Sequence, residues 1–147
     1  MSKPLFISAS SMIDLIGKQL KPPVVIEDDL VSDKQVLLMV YRNSLHANYM
    51  GRTWDSLWDV ISSHEFIQGG SMMVVHASWP PRLPSEDLAI YLDIVFRALR
   101  YHSGDRDENC GQSGNHFNIV FVYKDEDDLN RIKNSLIQIM PSLEQAI

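Results

Sequence analysis

Two aspartates four residues apart, Asp55 and Asp59, stand with Trp58 in the run Tyr49-Met50-Gly51-Arg52-Thr53-Trp54-Asp55-Ser56-Leu57-Trp58-Asp59-Val60. On a helix capped by Thr53, that spacing sets both carboxylates, the indole and Ser62 on one side. Trp54, Leu57 and Ile61 fall on the other side and can anchor the helix to a core. Like charges one turn apart cost roughly 0.2–0.5 kcal/mol, and a sequence shaped only for stability would place a lysine at one of them. A compact anionic patch with an aromatic anchor suits a basic, phosphate-binding cleft on another protein. The plainer alternative is that Asp55 serves the helix N-terminus, Asp59 is solvated and Trp58 belongs to the core.

The other chemistry-bearing side chains form no pattern. The five histidines, His46, His64, His76, His102 and His116, follow no recognised catalytic spacing. His76 ends a β-branched run and reads as a hydrogen-bonded core residue. His102, the single cysteine Cys110 and His116 bracket a glycine-rich loop but match no common metal-ligand spacing. There is no P-loop, no dinucleotide glycine motif and no nucleophile elbow. The expectation is a binding protein and not an enzyme, with no catalytic residue, no metal and no cofactor.

The elements that must position the patch follow from periodicity. Met12, Ile13, Ile16 and Leu20 share a helical face from Ser11, and Pro22-Pro23 ends it. Val24-Val25-Ile26 reads as a buried strand. Ser32-Asp33-Lys34-Gln35 has the form of a capping box, with Leu37, Leu38, Tyr41 and Leu45 on one face beyond it. Val36, Val40 and Tyr41 also suit a strand, but the cap and the length favour a helix. The motif helix follows from Trp54 to about Ser62. Gly69-Gly70 breaks the chain, and a strand runs from Met72 to His76. Ser85 caps a long helix from Glu86 to about His102. Residues 103–115 read as a mobile loop, with Cys110 exposed in it. A strand from Phe117 to Tyr123 precedes a helix capped by Asp125, which buries Leu129, Ile132, Leu136 and Met140 and ends at Pro141. Short strands separated by helices predict an α/β fold: a small three-stranded parallel sheet packed by four to five helices. The chain reads as one domain over 1–147, with an extension at 1–22, a core at 23–124 and a C-terminal helix at 125–147.

Composition narrows the partners. The chain has 147 residues, 45% of them hydrophobic, and a formal net charge of −6. That charge disfavours nucleic acid as the ligand and suits a basic protein. The stretch 23–65 carries seven acidic against three basic side chains, which would steer a cationic partner toward it. No apolar run is long enough to span a bilayer, and the first residues do not read as a secretory signal, so a soluble cytoplasmic protein is expected, with no membrane partner.

The same motif resembles the barstar family of ribonuclease inhibitors. Tyr49, Gly51, Asp55, Leu57 and Asp59 match the family pattern, and Trp58 matches its frequent tryptophan. Thr53 stands where the family has asparagine, Ser56 where it has alanine, and Arg52 adds a positive charge. The order of elements from Pro23 to about Lys124 is similar as well. The resemblance implies a barstar-like fold and a partner-binding site made of Tyr49, Gly51, Asp55, Trp58 and Asp59. Asp59 would imitate a substrate phosphate in the nuclease active site, Asp55 would pair with a second cation, Tyr49 would cover the catalytic histidine, and Trp58 would pack at the interface. The family's peripheral acidic contact falls near Arg97 and Ala98, neither acidic, and an aromatic that follows the motif helix falls near His64. The implied partner is a ribonuclease. An immunity protein on the same scaffold that opposes another nuclease toxin is the alternative, and a regulatory module without a nuclease partner is a third reading.

Overall fold

A computed structural model describes residues 3–19, 22–63, 71–103 and 116–147. The expected break at Gly69-Gly70, most of the expected loop with Cys110, and Leu20, His64 and Glu65 lie outside the described residues. The elements are β1 (Leu5–Ser8), α1 (Ala9–Gly17), β2 (Val24–Ile26), a 3-10 turn (Asp28–Leu30), α2 (Lys34–Ser44), α3 (Trp54–Ile61), β3 (Ser71–His76), α4 (Ser85–His102), β4 (His116–Tyr123), α5 (Glu126–Ile139) and a 3-10 turn (Pro141–Gln145). The class is α/β. The sheet is parallel in the order β1-β4-β3-β2, so it has four strands where three were expected. The fourth is β1, in the segment read as an extension. It pairs only with β4, Leu5 opposite Val120 and Ser8 opposite Tyr123.

Strand alternation splits the core. Val24, Ile26, Met72, Val74, Phe117, Ile119 and Phe121 face the layer that holds α2 to α5. Met73, Val75, Val120 and Val122 face the other way, toward Met12 and Leu15 of α1. Helix α1 buries none of its residues fully, and Ile13 is 80% exposed. Its expected start at Ser11 moves to Ala9, directly after β1.

Caps explain the remaining boundaries. Helix α2 forms as preferred over a strand, but Asp33 caps it in place of Ser32, accepting from the Val36 N–H at 3.0 Å. Val31 is buried and its carbonyl accepts from Arg82 N–H at 3.0 Å, which holds the chain extended one residue further. Gln35 does not reach back; its amide donates to the Arg52 carbonyl and ties α2 to the motif loop. Pro84, with no side-chain bond, occupies the N-cap of α4, so Ser85 is its first residue and not its cap. Asp125 caps α5 as expected. Of its expected stripe Ile132 and Leu136 are buried, while Leu129 and Met140 are half-buried.

Helix α2 stops at a left-handed residue, His46, with φ 53°. The His46 N–H donates to Asn43 and the Ala47 N–H to Arg42, the paired bonds of a Schellman turn. A side chain in that conformation costs roughly 1 kcal/mol. His46→Gly is therefore expected to stabilise the fold by about 0.5–1 kcal/mol, read as a raised urea midpoint at constant slope.

Candidate functional site

The motif loop is held from both sides. Ala47 and Met50 are buried, and Met50 N–H donates to the Ala47 carbonyl at 2.9 Å. Arg42 donates to the Asn48 carbonyl at 2.7 Å. Between these fixed points Tyr49 projects outward, 68% exposed. Gly51 leaves room for Ser56: a Cβ there would lie 2.6 Å from Ser56 Oγ and would force that hydroxyl to turn away. That hydroxyl is engaged with Thr53 Oγ1 at 2.9 Å, and Thr53 Oγ1 caps α3 by accepting from Ser56 N–H.

Helix α3 is pinned by Leu57, Val60 and Ile61, all buried. Trp54 is half-buried, its ring 6.1 Å from that of Tyr91, so it anchors only in part. His102 of α4 is 97% buried and places Nε2 2.8 Å from the Ile61 carbonyl. An Nε2–H there satisfies one of the carbonyls that a helix end leaves unpaired. This is the structural use of His102, which the sequence did not reveal. Among the described residues no group of His, Cys, Asp and Glu could hold a metal ion.

Asp55 and Asp59 are both exposed on this rigid support. Among the described residues neither carboxylate has an ion-pair partner, whereas Asp93 pairs with Arg97 and Asp128 with Arg131. Asp55 also sits in the first turn, where the helix dipole favours it. Trp58 does not stand outward with them. It is half-buried, edge-on to Tyr101, with the Arg97 guanidinium 5.1 Å from its ring centroid. Ala98 is buried, and the border beside Trp58 carries Arg97, which is paired with Asp93.

A second constellation looks catalytic and is sealed. Asp28 follows β2 and His76 ends β3, both at the carboxyl edge of the sheet. His76 Nδ1 lies 2.7 Å from Asp28 Oδ1 and Nε2 lies 2.8 Å from Tyr91 Oη, which is 2.6 Å from Tyr41 Oη. Asp28 Oδ2 accepts from Ser78 N–H at 2.8 Å. One proton arrangement serves every donor: Tyr41 donates to Tyr91, Tyr91 to Nε2, and Nδ1–H to Asp28. Asp28, His76, Tyr41 and Tyr91 are each 0% exposed, so no substrate reaches them. His76 is the hydrogen-bonded core residue expected. Asp28 was counted with the steering acids, but a buried, paired carboxylate adds little to a surface field. Trp79, also fully buried, closes this edge, with its ring 4.9 Å from His76 and 5.4 Å from Phe121. Open α/β sheets commonly bind small ligands at that edge; here an indole fills it.

Burial above all pushes the Tyr41 and Tyr91 phenols well above their ordinary value of 10.0, and the Asp28 charge adds to it. Their contribution to stability is complete below pH 10.0 and is lost as pH rises toward the folded values. The urea midpoint is expected to fall as pH rises above about 10, with a shallower fall in Tyr41→Phe.

Comparison with protein-family models, with curated proteins and with solved structures finds no match to this chain. The site is therefore read from its own geometry and from the motif.

Proposed function

We propose that this protein is a barstar-like inhibitor that blocks a ribonuclease with α3 and the loop before it. The observation that carries the reading is the pair of exposed carboxylates, Asp55 and Asp59, left without ion-pair partners on a helix that the core holds rigid. Two fixed anions one turn apart are a poor choice for stability and a good match for a cleft built to hold phosphates. Tyr49 projects from the adjoining loop and adds an aromatic surface of the kind that anchors interfaces. The capped helix and its buried residues Leu57, Val60 and Ile61 hold the two carboxylates in place before any partner arrives, which lowers the entropic cost of association.

Asp59 imitates a substrate phosphate, Asp55 pairs with a second cation of the nuclease, and Tyr49 covers its catalytic histidine. Trp58 supports the helix from behind, held by Arg97 and Tyr101, and meets the partner only along its exposed edge. In this reading the strands β2, β3 and β4 with α2 to α4 make the barstar-like core, while β1 with α1, paired at the β4 edge, and the C-terminal α5 are additions.

The test is cleavage of a fluorogenic RNA by a panel of small basic ribonucleases, barnase-like enzymes among them, titrated with the full chain. Inhibition that ends at one inhibitor per enzyme for any member supports the proposal. Undiminished cleavage by every member at micromolar excess would reject it.

A further inference from the structure

Beside the motif loop lies a groove of about 120 Å³ between α2 and the segment Met50–Arg52. Leu38, Met39 and Met50 form its floor, and Arg42, Arg52 and Gln35 its rim. Among the described residues no acidic side chain lines it. Arg42 uses one N–H on the Asn48 carbonyl, which leaves most of its donors for another acceptor. Arg52 is exposed and has no ion pair among the described residues. Two arginines therefore line one groove together with apolar side chains, on a protein whose net charge is −6.

The volume is close to that of a cavity holding one benzene-sized group, roughly 150 Å³. The groove thus has room for one side chain. An apolar stem suits the floor, where methionines adapt to its shape. A terminal carboxylate suits the rim, since a guanidinium fork matches it with two parallel hydrogen bonds. Glutamate has both parts. The groove is also continuous with the loop that the proposed function presses against the nuclease, so its occupant comes from the edge of that cleft.

We infer that this groove receives a glutamate side chain of the partner protein, so that the inhibitor selects nucleases whose cationic cleft is bordered by an acid. The inference rests on the proposed function for the partner's identity, while the groove's chemistry stands apart from it. Specificity then has two opposite parts: anions of α3 enter the basic cleft, and Arg52 demands an anion at its rim. A nuclease with a lysine at that rim is rejected by like charge.

The experiment needs no nuclease. Methyl resonances of Met39 and Met50 in the full chain are followed by NMR as the peptide acetyl-Gly-Ser-Glu-Ser-Gly-amide is added. The Gln-containing peptide and inorganic phosphate serve as competing probes. The Glu peptide is expected to shift both methyls saturably, with a dissociation constant of roughly millimolar order. The Gln peptide, and the Glu peptide with the Arg52→Gln protein, are expected to bind roughly fivefold more weakly or worse. Arg42 is left in place because it holds the loop. Equal binding of the Glu and Gln peptides, or no saturable shift, overturns the proposal. Phosphate binding more tightly than the Glu peptide overturns it in favour of a phosphate site. If the Glu peptide binds as expected but no ribonuclease in the panel is inhibited, the proposed function fails while the groove keeps its acid-binding chemistry.

Discussion

Asp59→Ala is expected to weaken the proposed inhibition of a ribonuclease by about 2–5 kcal/mol, roughly 30- to 4,000-fold in the inhibition constant. The size follows from what the truncation leaves behind. In the proposed complex, Asp59 is taken out of water and paired with cations of the cleft, so removing it would strand those cations in a dry site. The free protein should hardly notice the change. Asp59 is exposed, has no ion pair among the described residues, and repels Asp55 one turn away. The urea midpoint of Asp59→Ala should therefore hold or rise slightly while binding collapses. Asp55→Ala should cost less, since Asp55 also favours its own helix N-terminus and its loss is felt in both states. High salt should weaken the wild-type complex chiefly by slowing association. A change below about 0.5 kcal/mol on Asp59→Ala would place the interface away from α3.

Much of the framework was legible because it rests on local rules. Thr53 and Asp125 carry cap chemistry that acts over three residues, and both cap as read. Strands β2, β3 and β4 are β-branched or aromatic runs, and the long α4 has an unbroken apolar stripe. What escaped the reading depends on contacts far apart in sequence. Strand β1 offers only Leu5, Phe6 and Ile7, too short a run to declare itself, and becomes a strand by pairing with β4 more than a hundred residues later. Ser32 and Asp33 are both competent caps, and the choice is made by Val31, whose carbonyl is held by Arg82. The outward side of α3 was legible from spacing, apart from Trp58. Helical periodicity set its indole outward, but periodicity cannot foresee that Arg97 and Tyr101 of α4 would cover it. Asp28 looked like one acid in an acidic run; only the parallel register that sets Ile26 beside His76 brings it to the imidazole.

That buried pair carries the second large effect. Asp28→Ala is expected to cost about 2–5 kcal/mol of stability, measured by urea unfolding at neutral pH, because each of two buried donors left unpaired costs roughly 1–3 kcal/mol. The carboxylate accepts two hydrogen bonds, one from each side of the β3 end: His76 Nδ1–H at 2.7 Å and Ser78 N–H at 2.8 Å. Its removal leaves both donors without acceptors, and the chain of donors from Tyr41 through Tyr91 to His76 loses its terminus. Against a typical domain stability of roughly 5–15 kcal/mol, a loss of that size unfolds an appreciable fraction near body temperature. Asp28→Asn should cost less, about 1–3 kcal/mol, because the amide keeps one acceptor for Ser78 N–H. It must, however, offer an N–H to the imidazole, which then has to take the other tautomer and reverse the hydroxyl chain as far as Tyr41. The folded fraction of either variant should still titrate the ribonuclease to the same endpoint, because Asp28 is fully buried and touches no partner. Inhibition lost in proportion to Asp28→Ala unfolding keeps the network structural; inhibition lost from fully folded protein would tie it to α3 through Trp54, whose ring packs against Tyr91.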